Sequence, residues 1–384
     1  MIRGLQAIVT LGIYIHIPFC ESKCSYCHFV SMPLQDFDVC RYIKAVLREM
    51  ELFCASRTKS EEADSIYFGG GTPSLLPADF IGEILESCRR LFAVADDCEI
   101  SLEANPGTLS AAKAESYRRS GVNRVSVGAQ SFDAGELASI GRRHTPAMIA
   151  GSVDCLRENG FRAINLDLML GLPLQTAASW RQTLALDGLA VSHLSVYMLD
   201  LDDVCPLQSM VQSGAVRLPE EDLVSDLYLE TLDFLASQGY AQYEISNFAR
   251  PGYECRHNLK YWMREPVQGF GLASHSFDGK TRLANFSQMD EYLRAIEAGR
   301  APVSWRRPVT EEQAVEETLF LGLRLNRGLD WGRLIDMAGR QRMKKYEGPL
   351  QELSGRGWVE WNGSTVRLTP AGMLLSNEIF QLFV

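Results

Sequence analysis

Before residue 200 the sequence switches back and forth between two hydrophobic periods, and that alternation limits the fold more than any single motif does. Runs rich in β-branched and aromatic residues at 12–19, 65–71, 99–104, 124–130, 163–170 and 193–199 read as strands. Between them, 39–53, 77–92, 109–119, 146–158 and 177–189 carry apolar residues at helical spacing. In the second of these, Ile81, Ile84, Leu85, Cys88 and Leu91 share one face. Repeated strand–helix alternation implies a parallel sheet with right-handed crossovers. Such a sheet is either doubly wound or closed into a barrel. A doubly wound sheet gathers its functional residues at one switch point, whereas a barrel gathers them from every strand end around one mouth. Here unusual polar and glycine residues end each of the first five strands: a cysteine loop, Gly69-Gly70-Gly71-Thr72, Glu103 with Asn105 and Pro106, Gly128 to Gln130, and Asp167. That spread favours a barrel or partial barrel.

The first strand ends in Cys20, Cys24 and Cys27, spaced C-x3-C-x2-C. Three thiolates on one short loop can hold three irons of a [4Fe–4S] cube and leave the fourth iron open. An open iron can take a substrate or cofactor, which points to chemistry rather than electron storage. Zinc is the competing reading. It prefers four closed ligands, usually in C-x2-C pairs, and neither His16 nor His28 stands at a familiar zinc spacing. Three unrelated thiols are the remaining alternative, and their density beside a strand end argues against it.

Composition narrows the setting. A chain of 384 residues is long enough for more than one domain. A net charge of −10 argues against broad binding to nucleic acid or anionic membrane, although a local basic pocket remains compatible with it. No stretch is long and apolar enough to span a bilayer. Residues 5–19 are apolar but lack a small-residue cleavage site, so they read as a lead-in and first strand. Ten cysteines are not dense at this length, and a reducing cytoplasm suits them better than a disulfide framework. Cys40, Cys54, Cys88, Cys98, Cys155 and Cys205 read as small apolar residues or surface thiols.

After residue 201 the alternation fails. An amphipathic helix is expected at 219–238, a short strand at 243–248, an irregular glycine- and aromatic-rich stretch at 251–277, and a helix at 287–298. Pro302 and Pro308 bracket a boundary. Beyond it Thr310 and Gln313 form a capping box, 349–354 is helical, Asn362 and Gly363 mark a hairpin, and 370–382 is a last helix. The expected organisation is a barrel over 1–205, an irregular α+β extension over 206–305, and a small winged-helix-like domain over 306–384. That last module has no strong basic stripe, so a lid or docking role is expected of it rather than DNA binding.

The cysteine loop, with Tyr26 before its last cysteine, resembles the radical S-adenosylmethionine (SAM) superfamily. The flank from Tyr14 through His16 and Pro18 to Cys20 resembles, more narrowly, the oxygen-independent coproporphyrinogen III oxidases and the related HemW-type heme chaperones. The resemblance runs from about Tyr14 through the final domain. It implies an open (β/α)6 barrel, a [4Fe–4S] cluster on Cys20, Cys24 and Cys27, and reductive cleavage of SAM to methionine and a 5′-deoxyadenosyl radical. It places Tyr14, Gly70, Gly71, Thr72, Glu103, Gln130, Arg142 and Asp167 at the SAM site, with Tyr26 against the adenine. A carboxylate at a barrel mouth can accept from an ammonium or from ribose hydroxyls, and an arginine fork suits a carboxylate.

Three features separate the branches. The oxidases carry a further cysteine two residues after the third ligand, where this chain has Phe29. They also have a longer arm before the first strand. Finally, His257-Asn258-Leu-Lys-Tyr261-Trp262 matches the H-N-x-x-Y-W motif associated with heme in HemW-type proteins. The resemblance therefore implies a heme chaperone with His257 as heme ligand and Cys255 as a second contact. Its cofactors are the cluster, SAM and heme. Its partners are acceptor hemoproteins such as respiratory cytochromes, peripheral membrane contact coming through them, and a low-potential donor, flavodoxin or ferredoxin. The alternatives are coproporphyrinogen III oxidation and an Fe–S binding protein without radical chemistry.

Overall fold

The computed structural model describes residues 10–57, 61–186, 188–201 and 205–383; the lead-in over 5–9 lies outside them. All six expected strands form: β1 Leu11–Ile17, β2 Glu62–Gly70, β3 Ala93–Ala104, β4 Arg124–Gln130, β5 Ala163–Leu170 and β6 His193–Met198. They lie side by side in chain order, each parallel to the next. Sequential order has no reversal and so no switch point, which is barrel topology. The ring stays open, because β1 and β6 each pair outward with later strands rather than with each other. Helices α1 Val39–Ala55, α2 Ala78–Leu91, α3 Ala111–Ser120, α4 Ala134–Ser139, α5 Pro146–Glu158 and α6 Ala177–Ala185 make the crossovers. Their ends follow local chemistry. Asp38 accepts from the Arg41 N–H to start α1, Thr145 precedes Pro146 at the start of α5, and Gly121 at φ 102° ends α3.

Strand residues alternate strictly between two environments. Ile13, Ile15, Ile66, Phe68, Leu102, Val125, Val127, Ile164, Leu166 and Leu194 are fully buried in the apolar core. The intervening residues face the barrel axis and are polar: Tyr14, Ser65, Tyr67, Glu99, Ser101, Glu103, Arg124, Ser126, Asn165, Asp167, His193 and Ser195. They pair between neighbouring strands, with Tyr67 donating to Glu103, Ser126 to Asp167, and His193 bonded to Asn165. The inside of this barrel is therefore a hydrogen-bonded column rather than an aliphatic core.

The extension is more regular than its sequence suggests. It contributes α7 Pro206–Gln212, α8 Glu221–Ser237, α9 Arg256–Trp262 and α10 Met289–Glu297. The strand expected at 243–248 is a hairpin, β7 Ala241–Glu244 and β8 Asn247–Ala249, with β8 antiparallel to β6. The stretch expected to be irregular, 251–277, contains α9, β9 Val267–Phe270 and β10 His275–Phe277. β9 runs parallel to β1, and β10, β11 Thr281–Asn285 and β12 Val303–Pro308 continue antiparallel to the edge. Glycines hide this pattern. At Gly269 a Cβ would stand 2.4 Å from the His275 carbonyl oxygen, so close strand approach excludes a side chain there. One sheet of twelve strands thus runs across both expected boundaries, at 205/206 and within β12.

Buried Glu49 of α1 joins the extension to the barrel. It accepts from the Gly271 N–H at 2.8 Å, the Asn285 amide at 2.6 Å and the Tyr292 hydroxyl at 2.7 Å. The C-terminal unit opens with α11 Glu311–Gly322, capped by Thr310 and Gln313 as expected. It continues through β13 Leu329–Asp330, α12 Trp331–Ala338, α13 Arg340–Gly355, the hairpin β14 Val359–Trp361 and β15 Thr365–Leu368, α14 Pro370–Leu374 and α15 Ser376–Gln381. Pro349 lies inside α13 instead of in a first turn, and the expected last helix divides at Leu375.

Candidate functional site

A cavity of about 380 Å³ opens at the C-terminal ends of the parallel strands. Cys20, Cys24 and Cys27 all reach it from the loop after β1. Backbone bonds fix that loop. The Gly71 N–H donates to Ile17 O and the Thr72 N–H to Phe19 O, each at 2.8 Å, while the Leu207 N–H donates to Ser25 O at 2.9 Å. Burial holds the Cys24 and Cys27 thiols above their ordinary range, and the charge of Arg142 opposes this at Cys24. Among the described residues no three His, Cys, Asp or Glu are grouped to hold one metal ion. The three thiols border one cavity, and three thiolates on one loop can hold three irons of a cluster.

The turn after β2 forms the adjoining wall. Gly70 sits at φ 111°, and a Cβ on it would stand 2.4 Å from the His16 ring; a Cβ on Gly71 would stand 2.6 Å from Phe19 O. Only glycine lets the backbone pass here and face the cavity. Thr72 donates toward Cys20 Sγ at 3.7 Å and receives the Asn105 amide at 3.0 Å. Asn105 also accepts from Arg142 at 2.8 Å, and a second Arg142 nitrogen donates to the Tyr26 hydroxyl at 2.8 Å. Among the described residues Arg142 Nε is buried without a hydrogen-bond partner. Gln130 ends β4 across a register shift beside Gly128 and holds φ 66° while buried, a strained backbone at a strand end.

Two carboxylates share the cavity. Glu103 accepts from the Tyr67 hydroxyl at 2.9 Å and the Gly70 N–H at 3.1 Å. Burial, and then the charge of Asp167, push its carboxyl up to about 7 against those two bonds. Asp167 accepts from Ser126 at 2.9 Å and Asn165 at 2.8 Å; burial raises it too, and its hydrogen bonds and Arg142 oppose. The wall therefore offers the Arg142 guanidinium, two acceptor carboxylates, glycine backbone and three thiols. That set suits a zwitterionic, hydroxyl-bearing ligand beside a metal cluster.

Cys20, Cys24, Cys27, Gly70, Gly71, Thr72, Glu103, Gln130, Arg142 and Asp167 all border this cavity. Tyr14 stands below it, its hydroxyl paired with His16 Nδ1 at 3.1 Å and its ring stacked on Tyr67 at 6.2 Å. His16 is buried, and its Nε2 pairs with Val30 O. His257 lies at the opposite end of the barrel, 1% exposed, with Nδ1 paired to Ser65 Oγ at 2.9 Å and Nε2 to the Tyr261 hydroxyl at 3.1 Å. Burial and the nearby Lys260 charge push its imidazole down to about 3. Cys255 is buried beside it, its thiol 3.5 Å from Glu99 and pushed up to about 12 by burial. Neither residue borders this cavity. Sequence reasoning missed Tyr67 and Ser126, and gave Asn105 no role of its own; the polar half of each strand's alternation would have found the first two.

A family model described as the radical SAM superfamily matches residues 14–186, and one described as the HemN C-terminal domain matches 309–375. The heme chaperone HemW of Bacillus subtilis is 36% identical over 97% of this chain and 98% of its own length. Its Escherichia coli namesake is 32% identical, over 97% and 98% respectively. Among solved structures, the E. coli coproporphyrinogen III oxidase HemN, a radical SAM enzyme, superposes with a TM-score of 0.85 over 97% of this chain and 90% of that one, at 23% identity.

Proposed function

The chain belongs to the HemW family within the radical SAM superfamily, and from that premise we propose that it carries heme to acceptor hemoproteins while holding a [4Fe–4S] cluster and SAM at the barrel mouth. The observation that supports this reading is the single cavity bordered by three cysteines and seven SAM-site candidates. Cys20, Cys24 and Cys27 would hold the cluster. When bound and reduced, it supplies an electron to the SAM sulfonium. Arg142, which borders the cavity, would meet the SAM carboxylate. Glu103 and Asp167 would accept from its ammonium or hydroxyls, and the Gly70–Gly71 backbone would pass close to its amino-acid end. Tyr26, held by Arg142, would border the adenine. The protein's own part is to orient these groups and keep water from them.

Heme is the cargo in this reading. Contact through His257 requires Tyr261 to leave Nε2 first, since that nitrogen is engaged and buried. The function is placed in the cytoplasm, with a flavodoxin or ferredoxin as donor and respiratory cytochromes among the acceptors. Among the described residues no helix is long and apolar enough to cross a membrane. The three-domain division, with the unit after Pro308 as a lid or docking module, belongs to the same proposal.

Coproporphyrinogen III oxidation is the reading to test against. Phe29, 64% exposed at the cavity edge, stands where that enzyme group carries a further cysteine. An anaerobic, cluster-reconstituted sample is titrated with heme while the Soret band is followed. A parallel aliquot receives coproporphyrinogen III, SAM and reductant. Stoichiometric heme binding without decarboxylated product is expected; protoporphyrinogen in the second aliquot would overturn the chaperone reading.

A further inference from the structure

The H-N-x-x-Y-W segment forms α9, and α9 plugs the floor of the barrel. Glu99 of β3 fastens its first turn, accepting from the Arg256 N–H at 3.2 Å and the His257 N–H at 3.1 Å. On the other side Lys260, 1% exposed, pairs with Asp64 of β2 at 2.8 Å and Glu265 at 3.1 Å. Between these anchors the His257 ring stacks on Tyr67, centroids 5.1 Å apart and planes 27° apart. Tyr67 reaches the cavity at its other end, where its hydroxyl donates to Glu103 at 2.9 Å. Asn258 borders a small chamber of about 20 Å³ that also touches Tyr67 and Asp167. Floor and mouth are thus joined by one continuous column of contacts: Ser65, His257, Tyr67, Glu103.

We propose that His257 is a positioning residue for the SAM site: lying beneath Tyr67, it keeps the tyrosine hydroxyl on Glu103 and so sets the direction in which that carboxylate faces the ligand. The proposal rests on the reading that Glu103 contacts SAM. The Tyr67 ring has two stacked neighbours, Tyr14 at 6.2 Å and His257 at 5.1 Å, and His257 is the nearer of them. Ser65 fixes the imidazole by Nδ1 and Tyr261 by Nε2, so the ring has a single orientation. A neutral histidine fits this task, because burial disfavours a charged ring there and Lys260, one turn on in α9, would repel it.

The consequence is visible in ligand binding. The Tyr67 hydrogen bond opposes the upward push on Glu103 from burial and from Asp167. The other groups around that carboxylate are the Gly70 N–H, Tyr14 of β1, Tyr197 of β6, Tyr261 of α9 and, through Asp167, Arg142. Removing the Tyr67 bond leaves Glu103 harder to ionise, so SAM binding should need a higher pH.

The test measures SAM affinity by equilibrium dialysis across neutral pH, on anaerobic cluster-loaded protein, with heme affinity read on the same samples. Tyr67→Phe is expected to bind SAM about tenfold more weakly near neutrality, the worth of one hydrogen bond to a charged group. Its binding midpoint should also move to higher pH. His257→Leu should reproduce both effects, the double variant should be no weaker than either single, and His257→Phe, which restores a flat ring beneath Tyr67, should return the wild-type midpoint. Wild-type SAM affinity and midpoint in His257→Leu, or identical behaviour of the Leu and Phe variants, would overturn the proposal. If His257→Leu does not fold, Ser65→Ala frees the ring from below and should shift the midpoint the same way; no shift would count against it. Glu103→Gln separates the premise. If it binds SAM as wild type does, the SAM-site reading fails and takes the proposal with it. If it loses SAM while Tyr67→Phe and His257→Leu do not, the positioning role alone fails. Loss of heme binding in His257→Leu with an unmoved SAM profile would assign the ring to heme instead.

Discussion

The two ends of the barrel are built from the same strands and the same polar alternation, yet they are finished differently. At the floor, most groups satisfy one another, although Ser101 Oγ and Trp262 Nε1 are buried without a partner among the described residues. Glu99 takes up two backbone N–H groups and the Cys255 thiol, and His193 uses both ring nitrogens, on Asn165 and Tyr243. At the mouth, Arg142 Nε has no partner among the described residues, Gln130 is held at positive φ, and two carboxylates share one cavity. A polar interior costs stability unless its groups are paired. The floor meets most of that cost within the chain, whereas the mouth gathers thiols, glycine backbone and two carboxylates around an open cavity.

The largest expected contrast is in metal content. Replacing Cys20, Cys24 and Cys27 with Ala should abolish the iron and sulfide taken up on anaerobic reconstitution. Cys255→Ala, at the floor, should leave both unchanged. Undiminished iron in the triple variant, or loss in Cys255→Ala, would break the division between the two ends.

Stability should show the reverse order. Glu99→Ala leaves the Arg256 and His257 N–H groups and Arg124 without their buried acceptor, and should cost about 3 kcal/mol in urea unfolding. Arg142→Ala at the mouth gives up its bonds to Tyr26 and Asn105, and should cost about 1.5 kcal/mol or less. Equal costs would mean that the mouth is as completed as the floor.

Acid and base should separate the ends further. Glu103 at the mouth has its carboxyl raised from 4.5 to about 7, so the unfolded chain releases that proton first. Its contribution is fully present below pH 4.5 and is lost as pH rises through about 7. His257 at the floor is lowered from 6.5 to about 3, so its contribution is present above pH 6.5 and is lost as pH falls toward 3. Each slope is at most about 1.4 kcal/mol per pH unit. Melting curves of the ligand-free protein should lose the first slope in Glu103→Gln and the second in His257→Phe; unchanged slopes would contradict these assignments. The smallest effect lies outside the barrel. Thr310→Ala removes the cap of α11 and should cost about 1 kcal/mol without altering SAM affinity.

Much of this was legible in the sequence, for physical reasons. β4, α5 and β5 form at the expected residues, because period and end signals agree there. The cysteine loop and the glycine turn were legible because few chemistries need those residues at strand ends. The extension was not. In β9 and its surroundings Gly269 and Gly271 replace the alternation a strand normally shows, and pairing with β1, more than two hundred residues away, makes the strand. The fate of His257 was hidden for a different reason. A motif states which residues recur together, whereas burial depends on Glu99 and Tyr67, which lie far off in the chain. The alternation of β2 to β6 did carry the polar interior, in Ser65 and Tyr67, Ser101 and Glu103, Asn165 and Asp167, although parallel strands more often read as apolar on both faces.

The central claim is that cluster and SAM meet at the mouth. It is tested most directly by electron paramagnetic resonance of the reduced, reconstituted protein with and without SAM, beside Arg142→Ala and Glu103→Gln. The account predicts a [4Fe–4S] signal that SAM alters in the wild type and alters weakly or not at all in the two variants. A wild-type signal indifferent to SAM, or an identical SAM response in all three proteins, would contradict it.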